Sequence, residues 1–191
     1  TPLTPFTETD MTRIAIVTDI HHGAPSHTKR GDTALELLAA FAEWTNGQKP
    51  DMVLDLGDRI SDVDSQTDAR LEREVAEIFA RIDAPVHHVC GNHDRDHLSV
   101  AENEEILGVP LVSEVIDLGA WQLALWRADA RIHRNVPRPG FDLPESDLPW
   151  LSRMAQQAAK PTLLASHVPI SGHAQTGNYY FQRSPGLSTY P

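Results

Sequence analysis

Four short apolar runs in this chain each end in side chains able to hold a metal ion. Ile14–Thr18 runs into Asp19-Ile20-His21, Met52–Leu56 into Gly57-Asp58, Val86–Cys90 into Gly91-Asn92-His93-Asp94, and Thr162–Ala165 into Ser166-His167. Asp, Asn and His together form a mixed oxygen and nitrogen donor set suited to borderline divalent ions. Asp19 and His21 are spaced i and i+2, which share a face on an extended segment, so both can hold one ion. Asp58 brings a carboxylate whose two oxygens can bridge two ions, and Gly57 before it lets backbone come close. Asn92 offers a neutral oxygen, and His167 a nitrogen for the second ion. His93 need not be a ligand. It is suited to protonating a leaving group, with Asp94 to orient it or raise its pKa. Two ions roughly 3.5–4 Å apart would clamp a phosphoryl group and make a bound water nucleophilic.

Alone, each motif has a plainer reading. Asp-x-His can be a polar strand end, and Gly-Asp or Gly-Asn-His-Asp a turn of good hydrogen-bonders. Their joint placement at the ends of β-like runs favours the metal reading, because ligands of open α/β sheets gather at the carboxyl ends of strands.

The elements between the motifs fit such a sheet. Residues 1–11 read as an irregular arm. Asp32 can cap a helix carrying Leu35, Leu38, Ala39 and Ala42 on one face, ending near Asn46-Gly47. Leu71, Val75, Ile78, Phe79 and Ile82 mark a second helix, stopped by Pro85. Strand, helix, strand, helix, strand implies a parallel sheet with right-handed crossovers. Val112–Leu118 and Trp121–Trp126 read as a hairpin about Gly119-Ala120. A long loop follows over 127–143, then a helix marked by Leu148, Leu151, Met154, Ala155 and Ala158. Residues 168–191 show no period. The expected architecture is one mixed α/β domain over residues 1–191, a two-sheet αββα sandwich.

With 191 residues the chain is long enough for a core of its own. Its formal net charge of −11 disfavours binding to a bare nucleic-acid backbone. Bound cations would reverse the sign locally, so a small anionic substrate fits. No run is long enough for a membrane span. The single cysteine, Cys90, excludes an internal disulfide, reads as a small buried hydrophobe rather than a nucleophile, and suggests a cytoplasmic setting. One of His87 and His88 is expected in the core, and His97 in solvent near a helix start. His22, Gly23 and His27 read equally as the mouth of the site or as an exposed loop. Arg127, Arg131, Arg134 and Arg138 read as a solvated loop or as an anion-steering one.

Taken in order, Asp19-Ile20-His21, Gly57-Asp58, Gly91-Asn92-His93-Asp94 and Ser166-His167 resemble the motifs of the calcineurin-like metallophosphoesterases. The resemblance covers residues 13 to about 170, and is loosely closest to bacterial cyclic-nucleotide-phosphodiesterase-like members. It implies a dinuclear centre of Mn, Fe or Zn hydrolysing small phosphomonoesters or phosphodiesters. Asp19 and His21 would bind the first ion, Asp58 would bridge, and Asn92 and His167 would bind the second. His93 would be the catalytic histidine, supported by Asp94. The family's later Gly-His-x-His motif has no match here; Gly172-His173-Ala174-Gln175 is the nearest run. The expectation is therefore a chain truncated at its C-terminal end, with a further His ligand from a downstream segment, a second polypeptide or a neighbouring subunit. A non-catalytic metal-binding or scaffold domain is the alternative.

Overall fold

The computed structural model describes residues 11–26, 29–133, 140–141, 146–170 and 177. The arm before Met11, His27, Arg134, Arg138, His173 and nearly all of the region after Ile170 lie outside the described residues.

Three strands form the first sheet, in the order β1 (Ile14–Val17), β2 (Met52–Asp55), β3 (Val86–His88), all parallel. β2 is central and buried along its whole length, which suits its apolar Met-Val-Leu run. Helices α1 (Ala34–Gln48) and α2 (Ser65–Phe79) make the crossovers. They bury Leu38, Ala42, Val75, Ile78 and Phe79 against Ala15 and Val53 on one face of this sheet. The short α3 (Asn92–Arg95) and α4 (Val100–Leu107) follow β3. The second sheet has the order β4 (Glu114–Asp117), β5 (Gln122–Leu125), β8 (Thr162–Ala165). β4 and β5 form the expected antiparallel hairpin, and β8 runs parallel to β5. Strands β6 (Ile132–His133) and β7 (Gly140–Phe141) pair with each other inside the region expected to be loop.

The two sheets pack face to face. Met52 and Leu54 of β2 meet Leu123 and Leu125 of β5 and Ala165 of β8 in one buried cluster. Behind the second sheet, Trp150 and Leu151 of α5 (Asp147–Gln157) cover Trp126, Val168 and Leu164. Helix, sheet, sheet, helix is the expected layering. Pro149 fits inside α5 because the first turn of a helix has no internal use for its N–H groups.

One detail of the first crossover differs from expectation. Asp32 lies in a 3-10 turn, Gly31–Thr33, and does not cap α1, whose N-cap is Thr33. The helix ends at Gln48, one residue past the expected Asn46-Gly47, with left-handed Lys49 as its C-cap. The side-chain amide of Asn46 has a tertiary role. It donates to Arg81 O at 2.8 Å and accepts from Asp83 N at 2.9 Å, pinning the end of α1 to the end of α2. No helix among the described residues is long and apolar enough to cross a membrane.

Cys90 is fully enclosed, and burial pushes its thiol up to about 12 against the pull of Arg59. The thiolate is the reactive form. We expect no alkylation by iodoacetamide at pH 8 in the native state and full alkylation in urea, read by intact mass. Rapid native labelling would show that Cys90 is accessible.

Candidate metal centre

Backbone approach comes first. Past the carboxyl ends of β1 and β2 the two chains keep pairing. Asp19 N donates to Gly57 O, His21 N to Asp58 O and His22 N to Arg59 O, at 2.8–2.9 Å. A Cβ on Gly57 would sit 2.2 Å from Gly91 N, and one on Gly91 only 2.2 Å from Asp58 Oδ1. Glycine at both places lets the loops after β2 and β3 touch. Asp19, His21 and Asp58 all take left-handed φ values, of 55°, 50° and 56°. Such a cluster of non-glycine residues in a sparsely populated region is typical of functional sites. It also corrects the extended-strand reasoning: Asp19 and His21 converge through two left-handed turns, not through the pleat of a strand.

Side chains then gather round Asp58, which is almost completely buried. Its Oδ2 lies 3.6 Å from His21 Nε2, and its Oδ1 lies 3.4 Å from His167 Nε2. Asp19 Oδ1 is 3.6 Å from the same His21 Nε2. These gaps exceed hydrogen-bond length. Two donors each about 2.1 Å from a common ion stand roughly 3.0–3.5 Å apart. The 3.4 Å gap falls within that range, and the two 3.6 Å gaps lie just beyond it. His167 Nδ1 faces Leu56 O at 2.7 Å, which directs its Nε2 lone pair at Asp58. His21 Nδ1 is buried with no hydrogen-bond partner. The nearby His21 imidazole and the Thr18 hydroxyl hold the Asp19 carboxyl down at about 2 against the opposing effect of burial, so it stays ionised. Asn92 opens α3 directly after Gly91 and is nearly buried.

His93 packs its ring edge-on to His21 with centroids 4.8 Å apart, and its Nε2 is 3.9 Å from Asp58 Oδ2. His21, Asp58 and His93 form one group of potential ligands, so His93 is also placed where a ligand could be. Its Nδ1 is paired with Asp62, a residue sequence reasoning missed. Burial pulls the imidazolium down, but the Asp62 hydrogen bond and the Asp58 charge outweigh it, and His93 sits above its ordinary value.

Asp94 does not do what was expected of it. Its carboxylate accepts the backbone N–H groups of Asp58, Arg59 and Gly91 at 2.7–3.0 Å and lies 3.3 Å from the Arg59 guanidinium. Asp94 thus ties together the two loops that carry Asp58 and Asn92, while Asp62 stands against His93. Arg59 is the other unforeseen residue. Fully buried, it donates to Asp55 at 2.8 Å, Glu72 at 2.5 Å, Val89 O and Asn103. One signal was readable: Glu72 falls on the same buried helix face as Leu71, Val75 and Phe79, and a charge there needs a buried partner.

The remaining candidates settle into structural roles. His88 is the core histidine, bonded to Asp55 at 2.9 Å. His22 is half-buried and pairs with Glu74 at 2.6 Å. His97 is held by Asp68 at 2.9 Å. Arg127 is a strut, neither solvated nor steering: its guanidinium binds His88 O, Val112 O and Glu114.

Comparison with known proteins agrees with this geometry. The family model described as calcineurin-like phosphoesterase matches residues 12–188. Among solved structures the chain is similar to a dimetal phosphatase from Danio rerio, with a TM-score of 0.65 over 84% of this chain and 70% of that one. At 14% identity that likeness speaks to the fold. No curated protein matches.

Proposed function

The chain belongs to the calcineurin-like phosphoesterase family, and from that membership we propose that it is a metal-dependent hydrolase of phosphomonoesters or phosphodiesters. The observation that carries this reading is the division of Asp58, one oxygen facing His21 and the other facing His167. In this reading Asp19, His21 and Asp58 hold one divalent ion, and Asp58, Asn92 and His167 hold another, each Mn, Fe or Zn. Bound there, the pair supplies Lewis-acid polarisation of the phosphoryl group and an acidified water. The chain's own residues do the rest. Asp94 fixes the loops by their amides, Asp62 orients His93 through Nδ1, and His93 Nε2 gives a proton to the leaving-group oxygen. The solved dimetal phosphatase of the same fold supports two ions rather than one.

Five residues sharing one carboxylate are few donors for two cations. We therefore extend the proposal to a further His donor from a downstream segment, a second polypeptide or a neighbouring subunit. Cytoplasmic placement belongs to the same reading and rests on the buried, unpaired Cys90.

Metal analysis with hydrolysis of 4-nitrophenyl phosphate and bis(4-nitrophenyl) phosphate tests the reading. Two ions per active unit with turnover supports it. Metal without turnover on either ester would favour a binding or scaffold domain.

Replacing Asp62 separates orientation from ligation. For Asp62→Asn we expect unchanged metal content and a kcat about 10–100-fold lower, with KM nearly constant. The loss should be larger for aryl phosphates with poor leaving groups. Metal loss in this variant would instead make Asp62 part of the metal site.

A further inference from the structure

We propose that Lys29 is an anion contact of this site that selects dianionic phosphomonoesters over monoanionic diesters. The inference rests on the phosphoesterase reading above and takes it one step further, to the substrate.

Lys29 Nζ lies 2.9 Å from His93 Nε2. That is the edge of the imidazole left over once Nδ1 is paired with Asp62, so Nε2 accepts from the ammonium here and can carry a proton only once an anion has drawn Lys29 away. An ammonium donates and never accepts, so it marks the position where an electron-rich atom belongs. The segment carrying Lys29 is tied to the segment carrying His21. Ser26 and Lys29 exchange backbone hydrogen bonds of 3.0 and 2.9 Å, Gly23 N donates to Gly31 O, and His22 Nδ1 faces Gly31 O. Gly31 lies so close that a Cβ would fall 2.5 Å from His21 O. Lys29 is half-buried rather than splayed into solvent.

The surroundings give the ammonium a task. Asp62, His93 and Asp96 bring their polar atoms within 4.8 Å of one another, and Asp58 does the same with His21 and His93. An arriving phosphate meets carboxylates on this side. A phosphomonoester carries about −1.5 to −2 charges at pH 7, whereas esterification of a second oxygen leaves a single charge. The group with more charge gains more from a cation at His93 Nε2. The flexible stem of Lys29 lets the ammonium follow the phosphoryl oxygens as they settle.

The test is direct binding of inorganic phosphate and of dimethyl phosphate to the metal-loaded chain at pH 8 by calorimetry, in wild type, Lys29→Met and Lys29→Arg. We expect phosphate to bind about 10-fold more weakly to Lys29→Met, the scale of one charge-assisted hydrogen bond. Lys29→Arg should keep phosphate affinity within about threefold, and dimethyl phosphate should change by less than about threefold in both. Metal content and melting temperature equal to wild type show that the variants are folded. The proposal is overturned if Lys29→Met binds phosphate like wild type, if it loses both anions equally, or if wild type binds no phosphate. Turnover is scored separately. Wild type that binds phosphate through Lys29 yet cleaves neither ester would end the hydrolase reading and leave the anion contact standing.

Discussion

Asp58→Ala is expected to strip both ions from the site and to lower kcat/KM on an aryl phosphate by at least about 10³-fold, since the ions supply several kcal/mol of transition-state stabilisation. Asp58 is the side chain with an oxygen toward each of His21 and His167, at 3.6 and 3.4 Å. It also accepts the His93 backbone N–H at 3.0 Å, so its loss loosens the start of α3 as well. His93→Ala is the contrasting variant. It should keep both ions and lose about 10²–10⁴-fold in kcat. Metal content by elemental analysis, measured on both proteins, decides between two arrangements the geometry allows. His93 lies within the ligand group of His21 and Asp58, so an equal loss of metal in the two variants would make it a ligand and overturn its role as acid.

Arg59→Met should be the most destabilising single change, costing about 3–5 kcal/mol, because it leaves buried carboxylates without their counter-charge. Arg59 and its partners Asp55, Glu72 and Asp94 are all completely buried. The effect should reach the site, since Asp94 holds the amides of Asp58 and Gly91. Glu72→Gln should behave in the opposite way. Burial pushes the Glu72 carboxyl up to about 7 despite the attraction of Arg59, and its Oε2 has no hydrogen-bond partner. A carboxyl whose folded pKa lies above its unfolded value favours the fold when protonated. Its contribution is complete below the ordinary glutamate range and is lost as pH rises through about 7. The amide keeps an oxygen for Arg59 and never ionises. Urea unfolding of Glu72→Gln should therefore match wild type near pH 5 and show a higher midpoint at pH 8. A lower midpoint at pH 8 would mean that Glu72 is ionised and needed as an anion, and Arg59→Met losing less than about 1 kcal/mol would show the network to be dispensable.

Much of this molecule was legible in the sequence because the relevant signals are local. Apolar runs punctuated by Asp, Asn and His give the strand ends, and the spacing of Leu71, Val75, Ile78 and Phe79 gives the buried face of α2. Ordered motifs at those ends were enough to group Asp19, His21, Asp58 and His167. Tertiary structure decided what depends on neighbours distant in the chain. Asn46-Gly47 marked the end of α1 to within a residue, but only the fold shows that the Asn46 amide joins it to Arg81 O and Asp83 N at the end of α2. Asp94 follows His93 directly and looked like its partner. A residue opening a helix turns its carboxylate back toward free amides, here those of Asp58, Arg59 and Gly91, and that leaves His93 to Asp62 from another loop. Nothing local marks Arg59 as buried, and only the packing of α2 and α3 against β2 puts three acidic side chains round it. Sequence spacing determines which donors end each strand; long-range packing determines which of them face each other and which are used up holding the loops in place.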